Sequence, residues 1–292
     1  MPVSSSLPKS PIEVGWQLVC WTMLVGLLLF LYWDVMQGLV SDWSNNPDYS
    51  HGFLVPLLSG YFVWERWDLL KNEACRPTLF GLAVLGGGLV LLVIGVIGAE
   101  LYVQRVSLLL VLAGWAVLFG GWGYLWSLMF PIGFLLFMIP LPAIVVNAIA
   151  FPLQLFAAKV AAFSLFSLGI PVLREGNLIV LPGTTLEVAE ACSGLRSLLS
   201  LLALGTVYAY FSQAIPWKRW ALVILSIPIA IVANASRVSG TGILAHYYGV
   251  EAAEGFYHTF EGWMMFVVAF VLLLACGMIL QKIGSPPSQL QG

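Results

Sequence analysis

The thiol and guanidinium groups of "EACSGLRSL" stand at the start of a long apolar run, where Cys192 and Arg196 lie four residues apart. That spacing puts two side chains on the same face of a helix. A helix N-terminus and a nearby arginine both stabilise thiolate, the nucleophilic form of cysteine. Ser193 and Gly194 leave backbone N–H groups that could hold an oxyanion. The pattern favours Cys192 as an acyl-transfer nucleophile, while a buried small hydrophobe is the alternative interpretation.

Two further segments carry groups that such a reaction uses. Asn234 and Arg237, in "NASRVSG", end one apolar run, and His258 and Glu261, in "YHTFEGW", begin another. The planar fork of an arginine can hold a carboxylate or a tetrahedral oxyanion. A histidine beside a cysteine is the usual arrangement for acyl transfer at neutral pH, and Glu254 or Glu261 could orient the ring.

Each of the remaining polar side chains has a second interpretation. His51 opens another apolar run in "DYSHGF", where capping or pairing with Asp48 competes with a catalytic role. We expect His246 on a loop, and we rank both histidines below His258. Arg196 could also extend its charge to the lipid headgroups. Cys192 and the three histidines lack any local metal-ligand spacing, so we expect neither a metal nor a cofactor.

The composition identifies the elements that must position these residues. The chain has 292 residues, of which 60% are hydrophobic and 9% are charged, whereas a soluble domain has about a quarter of its residues charged. We therefore predict an all-α polytopic membrane protein that forms a single domain over residues 1–292. No basic run could follow a phosphate backbone, so nucleic acid is not an expected partner.

About eight stretches approach the length of a spanning helix, which needs about 20 apolar residues. They lie at roughly 16–33, 52–67, 79–98, 106–121, 123–140, 194–212, 220–236 and 260–281. With eight crossings, seven of the twelve Lys and Arg residues fall on one side: Lys9, Arg66, Lys71, Arg76, Lys218, Arg219 and Lys282. The positive-inside rule makes that side cytoplasmic, together with residues 1–15 and a disordered tail at 283–292. Cys192, Arg237 and His258 then face outward.

Residues 141–170 are apolar enough to span the membrane, but Lys159 interrupts them. A crossing here would move every later loop to the other side. We therefore predict an interfacial helix on the outer face, with a kinked pair of half-spans as the alternative. Residues 174–191 alternate apolar and polar side chains around Pro182 and Gly183, which predicts a short β-hairpin outside the membrane.

Several ordered blocks resemble the exosortase/archaeosortase family. "ACSGLRS" at 191–197, "NASRV" at 234–238 and "HTFEGW" at 258–263 are similar to its Cys, Arg and His blocks. "DYSHGFLVP" at 48–56 resembles its N-terminal block, and "FMIPLPA" at 137–143 with "GIPVLREGNLIVLP" at 169–182 resembles its middle. The resemblance covers most of residues 45–265. It is strongest to the exosortase A type, from Gram-negative bacteria that make exopolysaccharide.

The resemblance implies an inner-membrane cysteine protease, or transpeptidase, with its site facing the periplasm. Its substrates would be exported proteins with a PEP-CTERM signal, which consists of a Pro-Glu-Pro motif, a transmembrane helix and a basic tail. Cys192 would form an acyl-thioester, with Arg237 and His258 as the other essential residues. An amine-bearing lipid or glycan is the implied acceptor, besides membrane lipid as a partner. The family assigns proton donation to the arginine, but an arginine side chain holds its proton too tightly to be a good acid, so the division of roles stays open.

Two functions of other classes remain alternatives. A transporter would have broken helices near mid-bilayer and an inverted repeat, and the sequence displays neither. A lipid or glycan transferase of exopolysaccharide synthesis would need carboxylates or a metal and would not need the thiol. Replacement of Cys192 by alanine separates these alternatives from a protease.

Overall fold

A computed structural model describes residues 22–182, 184–188, 195–249 and 263–283, and the structural statements below concern these residues. Eleven helices lie in this part of the chain: α1 (Thr22–Leu31), α2 (Trp33–Asn45), α3 (Leu54–Glu65), α4 (Trp67–Asn72), α5 (Phe80–Ile97), α6 (Leu101–Phe119), α7 (Trp122–Phe134), α8 (Ala143–Ser167), α9 (Leu195–Ser212), α10 (Pro216–Tyr248) and α11 (Trp263–Lys282). Two 3-10 helices, Pro47–Phe53 and Leu135–Met138, precede α3 and follow α7. Three short strands lie between α8 and α9.

The described residues form two compact units. The first comprises the chain up to Asn45 together with Leu57–Ile139, and the second comprises Asn46–Pro56 and the chain from Pro140 onward. The second unit contains every described residue of the predicted site.

Small residues let the helices of the first unit approach closely. Gly81, Gly88 and Gly95 recur every seven residues on α5 and are all buried. A Cβ atom at Gly114 of α6 would lie 2.5 Å from the backbone nitrogen of Leu85 on α5. Close backbone approach through glycine is typical of packing between membrane helices. It explains why these two apolar helices form a tight hairpin.

A polar seam holds the first helix pair of this unit onto α6. Helices α1 and α2 meet at a 59° bend. Arg105, which is 4% exposed, donates to Asp42 at 2.5 Å, and the hydroxyls of Tyr32 and Ser107 lie 2.9 Å apart. Because charged and polar groups are costly among apolar helices, their mutual pairing is what allows them to be buried there.

Helix α10 is the central element of the second unit, and its two halves pack against different neighbours. Its first half shares a buried core with α9 and α11, through residues that include Leu201, Leu222 and Leu273. Its second half packs with α8 and the strands, through Val238 and Ala245 among others. The two halves together run for 33 residues, or about 50 Å at 1.5 Å per residue.

The strands form an antiparallel sheet in the order β1 (Leu173–Glu175), β2 (Leu178–Leu181) and β3 (Thr184–Glu187). The predicted hairpin is confirmed as β2 and β3, which pair with Leu181 opposite Thr184. The first strand adds to it through a two-residue turn in which Gly176 has a φ of +66°. Positive φ at this position suits glycine and the twist of a tight hairpin.

The all-α polytopic membrane fold is confirmed. Among the described residues, six helices are long and apolar enough to cross a membrane, namely α5, α6, α8, α9, α10 and α11, and the bent α1–α2 pair makes a seventh if it is one span. The predicted crossing at 220–236 is much shorter than α10. Residues 143–167 form one continuous helix with Pro152 inside it, not two half-spans. Its length and composition also suit a crossing, so an interfacial position for it stays a prediction.

Candidate functional site

An ion pair joins the "DYSHGF" block to the start of α9. Arg196 is the second residue of that helix, and its Nε donates to Oδ1 of Asp48 at 2.7 Å. The block lies in the 3-10 helix Pro47–Phe53, whose first residue is Pro47, and Asn46 caps this helix by accepting the Asp48 N–H at 3.0 Å. Proline at the first position and asparagine at the cap are favourable at a helix start. The local sequence therefore fixes the backbone from which the Asp48 carboxylate projects.

A second contact lies one helical turn further along both elements. Nδ1 of His51 and Oγ of Ser200 are 3.4 Å apart. Residues three apart in a 3-10 helix share a face, as do residues four apart in an α-helix. The two elements therefore form two successive contacts, Asp48 with Arg196 and His51 with Ser200. We call these four residues the η–α9 clamp, because they join the 3-10 helix (η) at Pro47–Phe53 to α9. The buried Tyr49 anchors the same block elsewhere, since its hydroxyl accepts the Leu141 N–H at 3.2 Å.

The clamp joins residues that the sequence did not predict to be partners. The sequence placed Asp48, His51 and Arg196 at helix starts, and it offered the headgroups as the partner of Arg196 and Asp48 as the partner of His51. The structure instead pairs Arg196 with Asp48 and places His51 beside Ser200. Ser200 was missed, although its position four residues after Arg196 is a usable signal.

Asn234 and Arg237 form a second polar pair, within α10. Nη2 of Arg237 donates to Oδ1 of Asn234 at 2.8 Å, and Asn234 is 6% exposed. The sequence predicts Arg237 at the end of a helix. The helix continues for eleven residues beyond it, so this prediction is wrong and the arginine lies inside α10. It stands between Ala233, which belongs to the core with α9 and α11, and Val238, which packs with α8 and the sheet.

The prediction that His246 lies on a loop is wrong. Helix α10 includes it and ends at Tyr248, where Gly249 adopts a φ of +85°. Glycine in this conformation is a common helix terminator, and it identifies the true end of the helix. The ring of His246 packs edge-on against Tyr247, with 4.9 Å between the ring centroids.

Cys192, His258, Glu254 and Glu261 lie outside the described residues. Their catalytic and supporting roles therefore stay predictions, as do those of Arg237, Asn234, Arg196, Asp48 and His51. Cys192 precedes the first residue of α9 by three positions, and Arg196 follows that residue directly. Within the part of the chain that the structure describes, no group of three His, Cys, Asp or Glu side chains could hold a metal ion.

A protein-family model described as "Transmembrane exosortase (Exosortase_EpsH)" matches residues 43–275. The matched range is more than half of the chain and contains the η–α9 clamp and the Asn234–Arg237 pair. Neither a curated protein nor a solved structure matches the chain. The sequence blocks, the apolar helices and this match agree, and the chain belongs to the transmembrane exosortase family, whose members are multi-pass membrane proteins.

Proposed function

We propose that this exosortase is a cysteine endopeptidase and transpeptidase of the inner membrane, most similar to the exosortase A type. It cleaves exported proteins at a C-terminal PEP-CTERM signal, with its site facing the periplasm. The observation that carries this proposal is the family match, which spans the blocks that contain Cys192, Arg237 and His258. The thiol chemistry expected at a helix start supports it independently.

In the proposed reaction, the Cys192 thiolate attacks a peptide carbonyl near the Pro-Glu-Pro motif and forms a C–S bond. The tetrahedral intermediate then collapses, the C–N bond breaks, and the C-terminal segment leaves as an amine that takes up a proton. An amine-bearing lipid or glycan, or water, attacks the resulting acyl-thioester. This second attack releases the thiolate and completes the cycle.

We assign the proton transfers to His258 and the oxyanion to Arg237. A histidine changes its protonation near neutral pH, whereas an arginine keeps its proton there. The hydrogen bond from Arg237 to the buried Asn234 supports this assignment, because it restricts the orientation of the guanidinium fork. A pre-oriented donor stabilises charge that develops in the transition state more than a mobile donor does.

The η–α9 clamp has a positioning role in this proposal. The charge of Arg196 is already engaged by Asp48, which reduces what it can contribute to thiolate stabilisation or to substrate binding. The clamp instead holds the first two turns of α9, directly after the segment that carries the nucleophile. Asp48, His51 and Arg196 thus act through Cys192 and not on the substrate.

Replacement of Cys192 by alanine tests the proposal directly. Cys192→Ala should insert normally and lose all processing of a PEP-CTERM substrate, and Cys192→Ser should keep at most a trace, because a hydroxyl is a much weaker nucleophile. Cys75→Ala is the matched control, since Cys75 is an exposed free thiol. A substrate fragment trapped on Cys192 would identify the thioester. Full processing by Cys192→Ala would favour a membrane transferase instead.

The proposed orientation has its own test. Single cysteines introduced at residues 185, 218 and 255 of an otherwise cysteine-free chain should react differently with a membrane-impermeant thiol reagent applied to whole cells. Residues 185 and 255 should be labelled from the periplasm, and residue 218 only after lysis. Periplasmic labelling of residue 218 would contradict the orientation and, with it, a periplasmic site.

A further inference from the structure

The turn between α9 and α10, residues 213–219, places two cations at the start of a long helix. Lys218 and Arg219 are the third and fourth residues of α10. Lys218 is 4% exposed, which is rare for a lysine unless an anion accompanies it. A lysine buried to this degree therefore indicates an anion close to the turn.

The protein itself supplies none within the described residues. Neither Lys218 nor Arg219 forms an ion pair there, and residues 191–250 and 262–292 contain no Asp or Glu at all. Asp48 pairs with Arg196 at the opposite end of α9, an 18-residue helix of about 27 Å. Glu175 and Glu187 belong to the sheet, which packs on the second half of α10.

The start of α10 adds positive potential to these two charges. Its N-cap, Ile215, offers no side-chain hydrogen bond, and its first turn contains no acidic residue. The N-terminal end of a helix carries a partial positive charge, which disfavours cations beside it. Because Cα–Cβ bonds in a helix tilt toward its N-terminus, the Lys218 side chain leaves its backbone in that direction.

The turn is also built to hold Arg219 in place. Its Nε donates to the Gln213 carbonyl at 2.7 Å, and its guanidinium lies 5.1 Å from the centre of the Tyr210 ring. Gln213 is 2% exposed and donates to the carbonyl of Gly277 on α11 at 3.0 Å. The hydrogen bond to Gln213 uses one of the five N–H donors of Arg219, so others can serve a ligand.

Two exposed tryptophans flank the cations and indicate where the ligand comes from. Trp217 and Trp220 are 54% and 68% exposed. Tryptophans at the end of a spanning helix are typical of the headgroup level of a bilayer. At that level, the phosphate diester of an anionic phospholipid is the abundant anion.

We propose that the α9–α10 turn binds the phosphate of an anionic phospholipid through the side chains of Lys218 and Arg219, beside the positive end of α10. The lipid neutralises the charge of the largely buried Lys218 side chain and fixes the junction of α9, α10 and α11. This binding is independent of the proposed peptidase reaction, and it holds for either orientation of the chain.

The test uses the full-length protein in nanodiscs of phosphatidylcholine, to which phosphatidylglycerol is added in steps. Bound lipid is counted by native mass spectrometry, and thermal unfolding is followed in parallel. Phosphatidylglycerol should bind the wild type and raise its unfolding temperature. Lys218→Gln should weaken that binding about fivefold, the effect of one basic residue near an anionic surface. Lys159→Gln removes the same charge from an exposed site on α8 and should leave the binding unchanged.

Two further arms make each outcome decisive. Arg219→Gln should weaken binding as Lys218→Gln does, and Lys218→Arg should retain it, which separates lost binding from lost folding. Equal phosphatidylglycerol affinity in the wild type, Lys218→Gln and Arg219→Gln would overturn the proposal. Inorganic phosphate added to pure phosphatidylcholine discs should not stabilise the wild type. A matching stabilisation by phosphate would show a soluble ligand and overturn the lipid assignment.

Discussion

The ion pair between Asp48 and Arg196 should matter much more for catalysis than for stability. The side chains are 36% and 51% exposed, so water screens their attraction. Exposed pairs contribute about 0.2–1 kcal/mol, whereas the loss of one partner of a buried pair costs about 3–5 kcal/mol. Asp48→Asn or Arg196→Gln should therefore lower the free energy of unfolding by at most about 1 kcal/mol. That is about 2–4 °C in unfolding temperature for a protein of this size.

The effect on processing should be at least tenfold, because the pair fixes the first turn of the helix that follows Cys192. A displacement of about 1 Å in a reacting group can cost about a hundredfold in rate. If Asp48 and Arg196 act as one unit, the double variant should process substrate no more slowly than the worse single variant. The processing rates of the variants would then show strong coupling between Asp48 and Arg196, whereas their free energies of unfolding would show little.

Both quantities can be measured on the same reconstituted preparations, through a double-mutant cycle. The exposed pair of Asp68 and Lys71, with 3.7 Å between its charged atoms, provides a control cycle that should change neither. Additive losses in processing would refute the idea that Asp48 and Arg196 act together. A loss of processing that simply follows the fraction unfolded would refute their positioning role.

Three other outcomes are expected. Arg237→Lys keeps the charge but loses the planar fork, so processing should fall nearly as far as in Arg237→Ala. His258→Ala should lower turnover by about 10²–10⁴-fold while substrate still binds, and the turnover of His246→Ala should stay close to that of the wild type. A wild-type rate for His258→Ala in the same assay would exclude His258 from the site. Gly242→Val should destabilise the protein by about 1–3 kcal/mol, because a Cβ atom there meets the facing leucine of α8 at 2.9 Å, whereas Gly240 has nothing within 4 Å and Gly240→Val should unfold at nearly the wild-type temperature.

The sequence predicts a helix best where the apolar run stops at the same place as a helix-ending residue. Helix α5 was expected at 79–98 and runs from Phe80 to Ile97, since Gly98 follows the run directly. Helix α10 was expected to end near residue 236, where the apolar run gives way to polar side chains. It continues to Tyr248 because Val238 and Ala245 are buried against α8 and the sheet. Tertiary packing thus overrides the local hydrophobic signal. A single sequence does not reveal this packing.

The same limit applies to the candidate site. Three of the four clamp residues, Asp48, His51 and Arg196, could be located at helix starts from their neighbours, and the cap at Asn46 can be read from "NNPD". The contact itself joins Asp48 to a residue 148 positions away. Nothing in residue type or local periodicity selects Arg196 as that partner among the basic residues of the chain. Helix packing decides it, so the pair emerges only with the fold.

The unexpected length of α10 bears on how Arg237 can work. A helix that ended at Arg237 would leave its last four carbonyls without intrahelical partners and its final turn prone to fraying. Eleven further residues instead hold the backbone of Arg237 inside a regular helix, as the Thr241 hydroxyl donating to its carbonyl at 3.1 Å illustrates. Ala233 and Val238 secure the helix on either side of it, in two different cores. The guanidinium therefore projects from a backbone that is fixed at both ends, which is what a pre-organised oxyanion donor requires.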